Sequence, residues 1–110
     1  MKIKVYEYDP ATGEETNREP ALTLTDVLHV KVPPGKVVVF APDDGLRVSA
    51  RGEDIRRWVQ PMTEFVEGKT TGRTVFRCRE YNNGKKGVEK EIESVDEAND
   101  FLLFRGAYAP

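Results

Sequence analysis

Hydrophobic and polar residues alternate over several short stretches of the chain, and this pattern predicts strands. Residues 2–8 alternate in this way, and residues 28–32 do so further along the sequence. Residues 46–50 are predicted to form another short strand. Residues 37–40 are apolar on both faces, which is typical of a strand in the interior of a sheet. The sequence therefore predicts a sheet with residues 37–40 near its middle.

Turn-forming residues separate these stretches. Residues 9–13, 33–35 and 42–45 each combine proline with glycine, which sets the backbone angles that turns require. Residues 14–20 are polar and end in Pro20, so they fit either a weak edge strand or a loop. Residues 23–27 fit either a short helix or the start of a strand. The structure of residues 14–27 therefore stays open.

Helical spacing occurs at two places, the first at residues 53–59. Ile55, Trp58 and Val59 recur at the intervals that place side chains on one face of a helix. Pro61 falls inside the pattern and is expected to end or kink the helix. This interpretation places Trp58 on the apolar face, so we expect its side chain to be largely buried.

The second helix is predicted near the C-terminus, beginning after Ser94. Ser94 and Glu97 form the capping-box pattern, in which the serine oxygen accepts a backbone N–H and the glutamate reaches back. Gly106 is the expected end of the helix. The apolar face of this helix is predicted to contain Val95, Ala98, Phe101 and Leu102.

Residues 73–81 and 88–93 predict a β-hairpin, for which two registers are open. A two-residue turn at Asn83 and Gly84 would set Arg77 opposite Lys90, which is a poor pair. A shift by one residue gives opposite-charge and apolar pairs, and this register is preferred. Its pairs are Arg77 with Glu91, Arg79 with Glu89 and Phe76 with Ile92. It leaves a longer loop with Lys85 and Lys86 at its tip.

Together these elements predict an α+β fold: a twisted, mainly antiparallel sheet of about five to six strands with one or two helices packed on one face. Residues 1–110 have the length of a single globular domain. No stretch has the pattern of a signal peptide or a membrane span, and the single cysteine excludes an internal disulfide. A cytoplasmic protein is therefore expected.

Charge is unevenly distributed, although the net charge is only −2. Residues 68–90 contain seven basic and two acidic side chains, whereas residues 91–110 contain one basic and five acidic ones. A basic segment can contact phosphates. An overall pI of about 5.5, however, argues against a dedicated nucleic-acid-binding protein.

Residues with catalytic or metal-binding potential are scattered along the chain. His29 is the only histidine and Cys78 the only cysteine, so a metal site with several such ligands is not predicted. Cys78 is expected to be buried and unreactive, because in a strand it shares its face with Phe76 and not with the neighbouring arginines. Residues 67–70 match only the end of a phosphate-binding loop. The sequence therefore predicts no enzyme, no cofactor and no metal.

Three functions are compatible with these features. The preferred one is a non-enzymatic protein-interaction domain of the adaptor or inhibitor type, similar in general character to small acidic proteins that phages carry. Its partner would be a protein with an acidic surface, bound through Tyr81, Asn82, Asn83, Lys85 and Lys86. The alternative is a nucleic-acid-binding module that uses Arg73, Arg77, Arg79 and Lys90 of the same hairpin. A small-molecule enzyme comes third. Contact with a membrane is not predicted, and the oligomeric state stays open.

Overall fold

The computed structural model describes residues 3–18 and 29–109, so residues 23–27 lie outside it. Within this part, seven strands form one antiparallel sheet, which an α-helix and a short 3-10 turn follow. The strands are β1 (Ile3–Tyr8), β2 (Glu15–Asn17), β3 (Val37–Pro42), β4 (Arg47–Arg51), β5 (Ile55–Val66), β6 (Lys69–Asn82) and β7 (Lys85–Ile92). The helix is α1 (Val95–Leu102), and the turn covers Gly106–Tyr108. The α+β class is confirmed, and the sheet has more strands than expected.

The strand order is β2-β1-β3-β4-β5-β6-β7, which places β3 in the interior of the sheet. The side chains of Val37 to Phe40 are buried on both faces, as their pattern predicted. β2 is a three-residue edge strand whose side chains are all exposed. The weak edge strand, rather than the loop, is therefore the correct alternative for Glu15–Asn17.

The predicted helix at residues 53–59 is wrong, because this segment belongs to β5 and the turn before it. Ile55 and Val59 pack on one face of the sheet, whereas Trp58 packs on the other. The spacing of these apolar residues fits one face of a helix and also fits a strand with apolar residues on both faces. Pairing with β4 and β6 makes the segment a strand. Pro61 lies beyond the last residue paired with β4, where β5 has become an edge that tolerates proline.

The strand predicted at residues 28–32 is also wrong over its described part, since residues 29–33 form no strand. Val30 and Val32 are nevertheless partly buried and pack against a core cluster. The alternation of this segment therefore reflects contact with the core and not pairing in the sheet.

The β6–β7 hairpin has the preferred register, with Arg77 opposite Glu91, Arg79 opposite Glu89 and Phe76 opposite Ile92. The longer loop expected at its end is wrong, because Asn83 and Gly84 form a two-residue turn. A bulge absorbs the difference of one residue, with Glu80 opposite both Gly87 and Val88. The favourable turn and the favourable pairs therefore coexist.

Two core clusters lie on opposite faces of the sheet. The face that α1 covers is called the helix face, and the opposite one is called the second face. Buried residues of the helix face are Tyr8, Val37, Val39, Val59, Cys78, Ile92, Ala98, Phe101, Leu102 and Phe104. Buried residues of the second face are Ile3, Val5, Val38, Phe40, Val48 and Ala50. Trp58 packs at the margin of this second cluster.

Ser94 caps α1 as predicted, since its hydroxyl oxygen accepts the backbone N–H of Glu97 at 3.3 Å. The carboxylate of Glu97 instead accepts a hydrogen bond from the Tyr108 hydroxyl at 2.7 Å, which ties the C-terminal turn to the helix. Val95 is 59% exposed, so its predicted place on the buried face is wrong. Ala98, Phe101 and Leu102 are buried as expected.

The end of α1 at Leu102 comes before the predicted stop at Gly106. Phe104 takes the left-handed conformation that usually falls to glycine, with φ of 57°. The backbone N–H of Arg105 then donates to the carbonyl of Asp100 at 2.8 Å, as in a Schellman ending. Burial of the Phe104 ring compensates the unfavourable backbone angle.

Candidate functional site

A cleft of about 660 Å³ opens on the second face, where β5 and β6 approach two neighbouring turns. The turn between β4 and β5 meets the turn between β6 and β7, and the N–H of Asn83 donates to the carbonyl of Asp54 at 2.9 Å. Described residues lining the cleft are Glu53, Asp54, Arg56, Trp58, Arg79, Tyr81, Asn83 and Gly84. The cleft thus joins parts of the chain that are distant in sequence.

Local sequence explains the geometry of both turns. Asn83 and Gly84 have φ of 54° and 72°, and positive values at both central residues define the tight hairpin turn that Asn-Gly favours. Gly52 supplies a φ of 60° in the turn between β4 and β5. Gly87 allows the bulge, because a Cβ there would lie 3.3 Å from the carbonyl oxygen of Glu80. These residues therefore permit the backbone conformations that shape the walls of the cleft.

Two aromatic side chains form the apolar part of the cleft. Trp58 and Tyr81 lie edge to face, with ring centroids 6.3 Å apart and planes at 79°. Trp58 is only partly buried, so the prediction of a largely buried tryptophan is wrong. The indole packs against the second-face cluster on one side and borders the cleft on the other.

Arg56 brings a nearly buried positive charge to the cleft, with 7% of the residue exposed. Its Nη1 donates to the carbonyls of Gly52 at 3.1 Å and Ile55 at 3.0 Å. Its Nε is buried and has no hydrogen-bond partner among the described residues. Burial lowers the pKa of the Arg56 guanidinium, and the nearby Asp54 opposes this shift only in part.

Arg79 lies opposite Trp58 on the neighbouring strand. Its Nε is 3.7 Å from Oε1 of Glu89, too far for a hydrogen bond, and is otherwise buried without a partner among the described residues. Glu89 also forms an ion pair with Lys86, whose hydrogen bond lowers the pKa of the Glu89 carboxyl. One carboxylate is therefore shared between two cations.

The structure brings together only part of the predicted contact residues. Tyr81, Asn83 and Arg79 line the cleft. Asn82, Lys85 and Lys86 are exposed beside the turn and outside its lining.

The other basic residues of the hairpin lie outside the cleft lining, and each lies near an acidic or aromatic side chain. Arg73 forms ion pairs with Glu64 and Glu93, and the ammonium of Lys90 lies 4.6 Å from the ring centroid of Tyr108. Arg77 lies opposite Glu91.

Sequence reasoning missed Arg56 and Trp58 as neighbours in a site. The signal was present in the alternation of Arg56 and Trp58 with Ile55, Arg57 and Val59, which is the period of a strand. Helical spacing in the same segment hid it.

Reactive side chains lie outside the cleft. Cys78 is fully buried on the helix face, as expected, and burial raises the pKa of its thiol to about 11. His29 is exposed and lies in a turn. Within residues 3–18 and 29–109, no group of His, Cys, Asp or Glu is arranged to hold a metal ion. No helix of this part of the chain is long and apolar enough to cross a membrane.

Comparison with protein-family models, with curated protein sequences and with solved structures gives no match to this chain.

Proposed function

We propose that this protein is a non-catalytic interaction domain that binds a segment of another protein in the Trp58 cleft. The observation that carries the proposal is the placement of the only tryptophan, partly exposed beside Tyr81 in a concave site. Tryptophan and tyrosine are the side chains most enriched among residues that dominate binding energies. An aromatic pair in a cleft can hold an apolar side chain of a partner while the rim contacts its backbone.

Preorganisation supports the same proposal. The hydrogen bond between Asn83 and Asp54 joins the two turns that border the cleft, and the tight turn and bulge restrict the backbone around it. A rigid site loses little conformational entropy when it binds, which favours recognition of a mobile segment.

Charge distribution favours a protein partner over a nucleic acid. A phosphate backbone would need a row of accessible cations, but Arg73 and Lys86 each form an ion pair with a glutamate. Glu53 and Asp54 also line the cleft and would repel neighbouring phosphates.

The lining also favours binding over catalysis. The described residues of the cleft include no serine, threonine, cysteine or histidine, the residue types that most often supply a nucleophile or a base at neutral pH. A role as an adaptor or inhibitor in the cytoplasm is the form of this proposal that the sequence favours.

A selection from a library of displayed random peptides tests the proposal. The wild-type protein is the bait, and Tyr81→Ala and Phe65→Ala are compared as matched removals of an aromatic ring. Phe65 is 66% exposed at the distant β5–β6 turn, so its removal controls for non-specific hydrophobic binding. We expect selected peptides to bind wild type and Phe65→Ala alike and to bind Tyr81→Ala at least about tenfold more weakly.

Trp58 provides a second readout, because it is the only tryptophan and borders the cleft. The same peptides are expected to change its fluorescence in the wild-type protein, which needs no variant to fold. The proposal fails if the selection yields no peptide, or if the selected peptides depend on Phe65 and leave both Tyr81→Ala binding and Trp58 fluorescence unchanged.

A further inference from the structure

The positive charge of Arg56 is only partly compensated within the described structure. Two backbone carbonyls accept from Nη1, but no carboxylate of the described residues forms an ion pair with the guanidinium. Nε has no hydrogen-bond partner among the described residues, although Arg56 is nine-tenths buried. An arginine in such surroundings keeps unused capacity for the planar, two-point hydrogen bonding that carboxylates accept.

Arg79 adds a second cation with unused capacity to the same cleft. Its contact with Glu89 is long, at 3.7 Å, and Glu89 is shared with Lys86. The Cα atoms of Arg79 and Trp58 are partners across β5 and β6, and those of Arg56 and Tyr81 are partners in the same way. Each aromatic ring of the cleft therefore has an arginine directly beside it.

Resting on the proposed function, we infer that the cleft recognises a carboxylate of the partner protein that lies next to an apolar side chain. The apolar group packs against Trp58 and Tyr81, and the carboxylate accepts hydrogen bonds from Arg56 and Arg79. Glu53 and Asp54 at the rim disfavour more than one negative charge, which selects a single acidic group rather than a run of them. The carboxylate comes either from an Asp or Glu side chain or from a chain terminus.

The test uses the peptides selected on the cleft and changes one carboxylate at a time. Each acidic residue is replaced by its amide, Glu by Gln or Asp by Asn, and the terminal carboxylate is amidated in a separate peptide. We expect one of these changes to weaken binding to wild type by about 30-fold, because a buried charge then loses its partner. The peptide whose binding weakens identifies the source of the carboxylate.

Matched protein variants, combined with the amide peptides, form a double-mutant cycle. Arg56→Met should weaken binding of the acidic peptide about as much as the amide replacement does. The two changes together should weaken binding little more than either one alone. Lys85→Met removes a positive charge near the turn but outside the cleft lining, and it should change binding by less than about threefold.

Three results would overturn the inference. In the first, every amide peptide binds as tightly as its acidic parent while Tyr81→Ala still abolishes binding; the cleft is then an apolar site and the proposed function stands. In the second, Lys85→Met weakens binding as much as Arg56→Met does. In the third, inorganic phosphate or a short single-stranded oligonucleotide displaces the peptide at a lower concentration than its own acidic fragment does. Failure to select any Tyr81-dependent peptide removes the proposed function itself.

Discussion

Arg56 and Arg57 are neighbours in β5, but they point to opposite faces of the sheet and have opposite surroundings. On the helix face, Nε of Arg57 donates to Glu80 at 2.7 Å, and Nη1 donates to the carbonyls of Phe101 at 2.9 Å and Tyr108 at 3.1 Å. Its guanidinium also lies 4.0 Å from the ring centroid of Phe104. On the second face, Nη1 of Arg56 donates to two carbonyls, and its buried Nε has no partner in the part of the chain that the structure describes.

This difference separates a structural arginine from the one that we propose takes part in recognition. Arg57 joins the sheet to α1 and to the C-terminal turn, so its charge is used in holding the fold together. Arg56 is more deeply buried than Arg57, with 7% of the residue exposed, but among the described residues only two nearby carbonyls hold it. A buried charge that its described neighbours compensate only in part lowers stability, which agrees with the proposed role of Arg56 in binding.

Arg57→Met is expected to give the largest effect, a loss of about 3 kcal/mol in the free energy of unfolding. The change leaves Glu80 without its partner and removes two hydrogen bonds that hold the C-terminal turn. Denaturant unfolding measures the loss. A change below about 1 kcal/mol would show that the helix face does not depend on this arginine.

The buried thiol of Cys78 on the helix face is expected to make the free energy of unfolding depend on pH. Its folded pKa of about 11 lies above the ordinary thiol value of 9.0, so the folded state holds its proton more tightly than the unfolded state. The resulting stability is complete below pH 9 and is lost as the pH rises to about 11, by about 2 kcal/mol. Cys78→Val should flatten the curve over this range. Equal slopes for both proteins would mean that the thiol is not buried in solution.

Ser94→Ala is expected to lower the free energy of unfolding by about 1 kcal/mol, because the N–H of Glu97 loses its acceptor. This change weakens the helix that closes the helix face and leaves the cleft untouched. Thermal unfolding measures it, and peptide binding at the cleft should be unaffected. An unchanged midpoint would show that the cap contributes nothing to α1.

Arg56→Met should have the smallest effect on stability, a change of less than about 1 kcal/mol in either direction. Methionine preserves much of the side-chain volume and removes a buried charge that forms no ion pair with the residues that the structure describes. The measurement is the same denaturant unfolding used for Arg57→Met. A loss as large as that of Arg57→Met would place both arginines in the structural framework and contradict the contrast between them.

Local rules predicted the parts of this molecule whose signal lies within one or two elements. The pairs of Arg77 with Glu91 and Arg79 with Glu89 set the hairpin register, and Ser94 marked the start of α1. Residues 37–40 indicated an interior strand because both of their faces are apolar. Each of these inferences needs only neighbouring residues or one strand pair.

The cleft could not be predicted in the same way. Ile55, Trp58 and Val59 fit the period of a helix, and only pairing with strands on both sides makes the segment a strand. The contact between Asn83 and Asp54 joins two turns that no local pattern relates. With residues 53–59 interpreted as a helix, Arg56 and Trp58 had no connection to Tyr81, and the hairpin was the only candidate site that charge could indicate.

The Nε–H resonances of Arg56 and Arg57 in a ¹H–¹⁵N spectrum test the central contrast most directly. The two signals are assigned by their loss in Arg56→Met and Arg57→Met, and the protein is then titrated with an acidic peptide selected on the cleft. We expect the Arg56 signal to move to a new position at saturation and the Arg57 signal to stay in place. A moving Arg57 signal, or a stationary Arg56 signal with the peptide fully bound, would contradict this expectation.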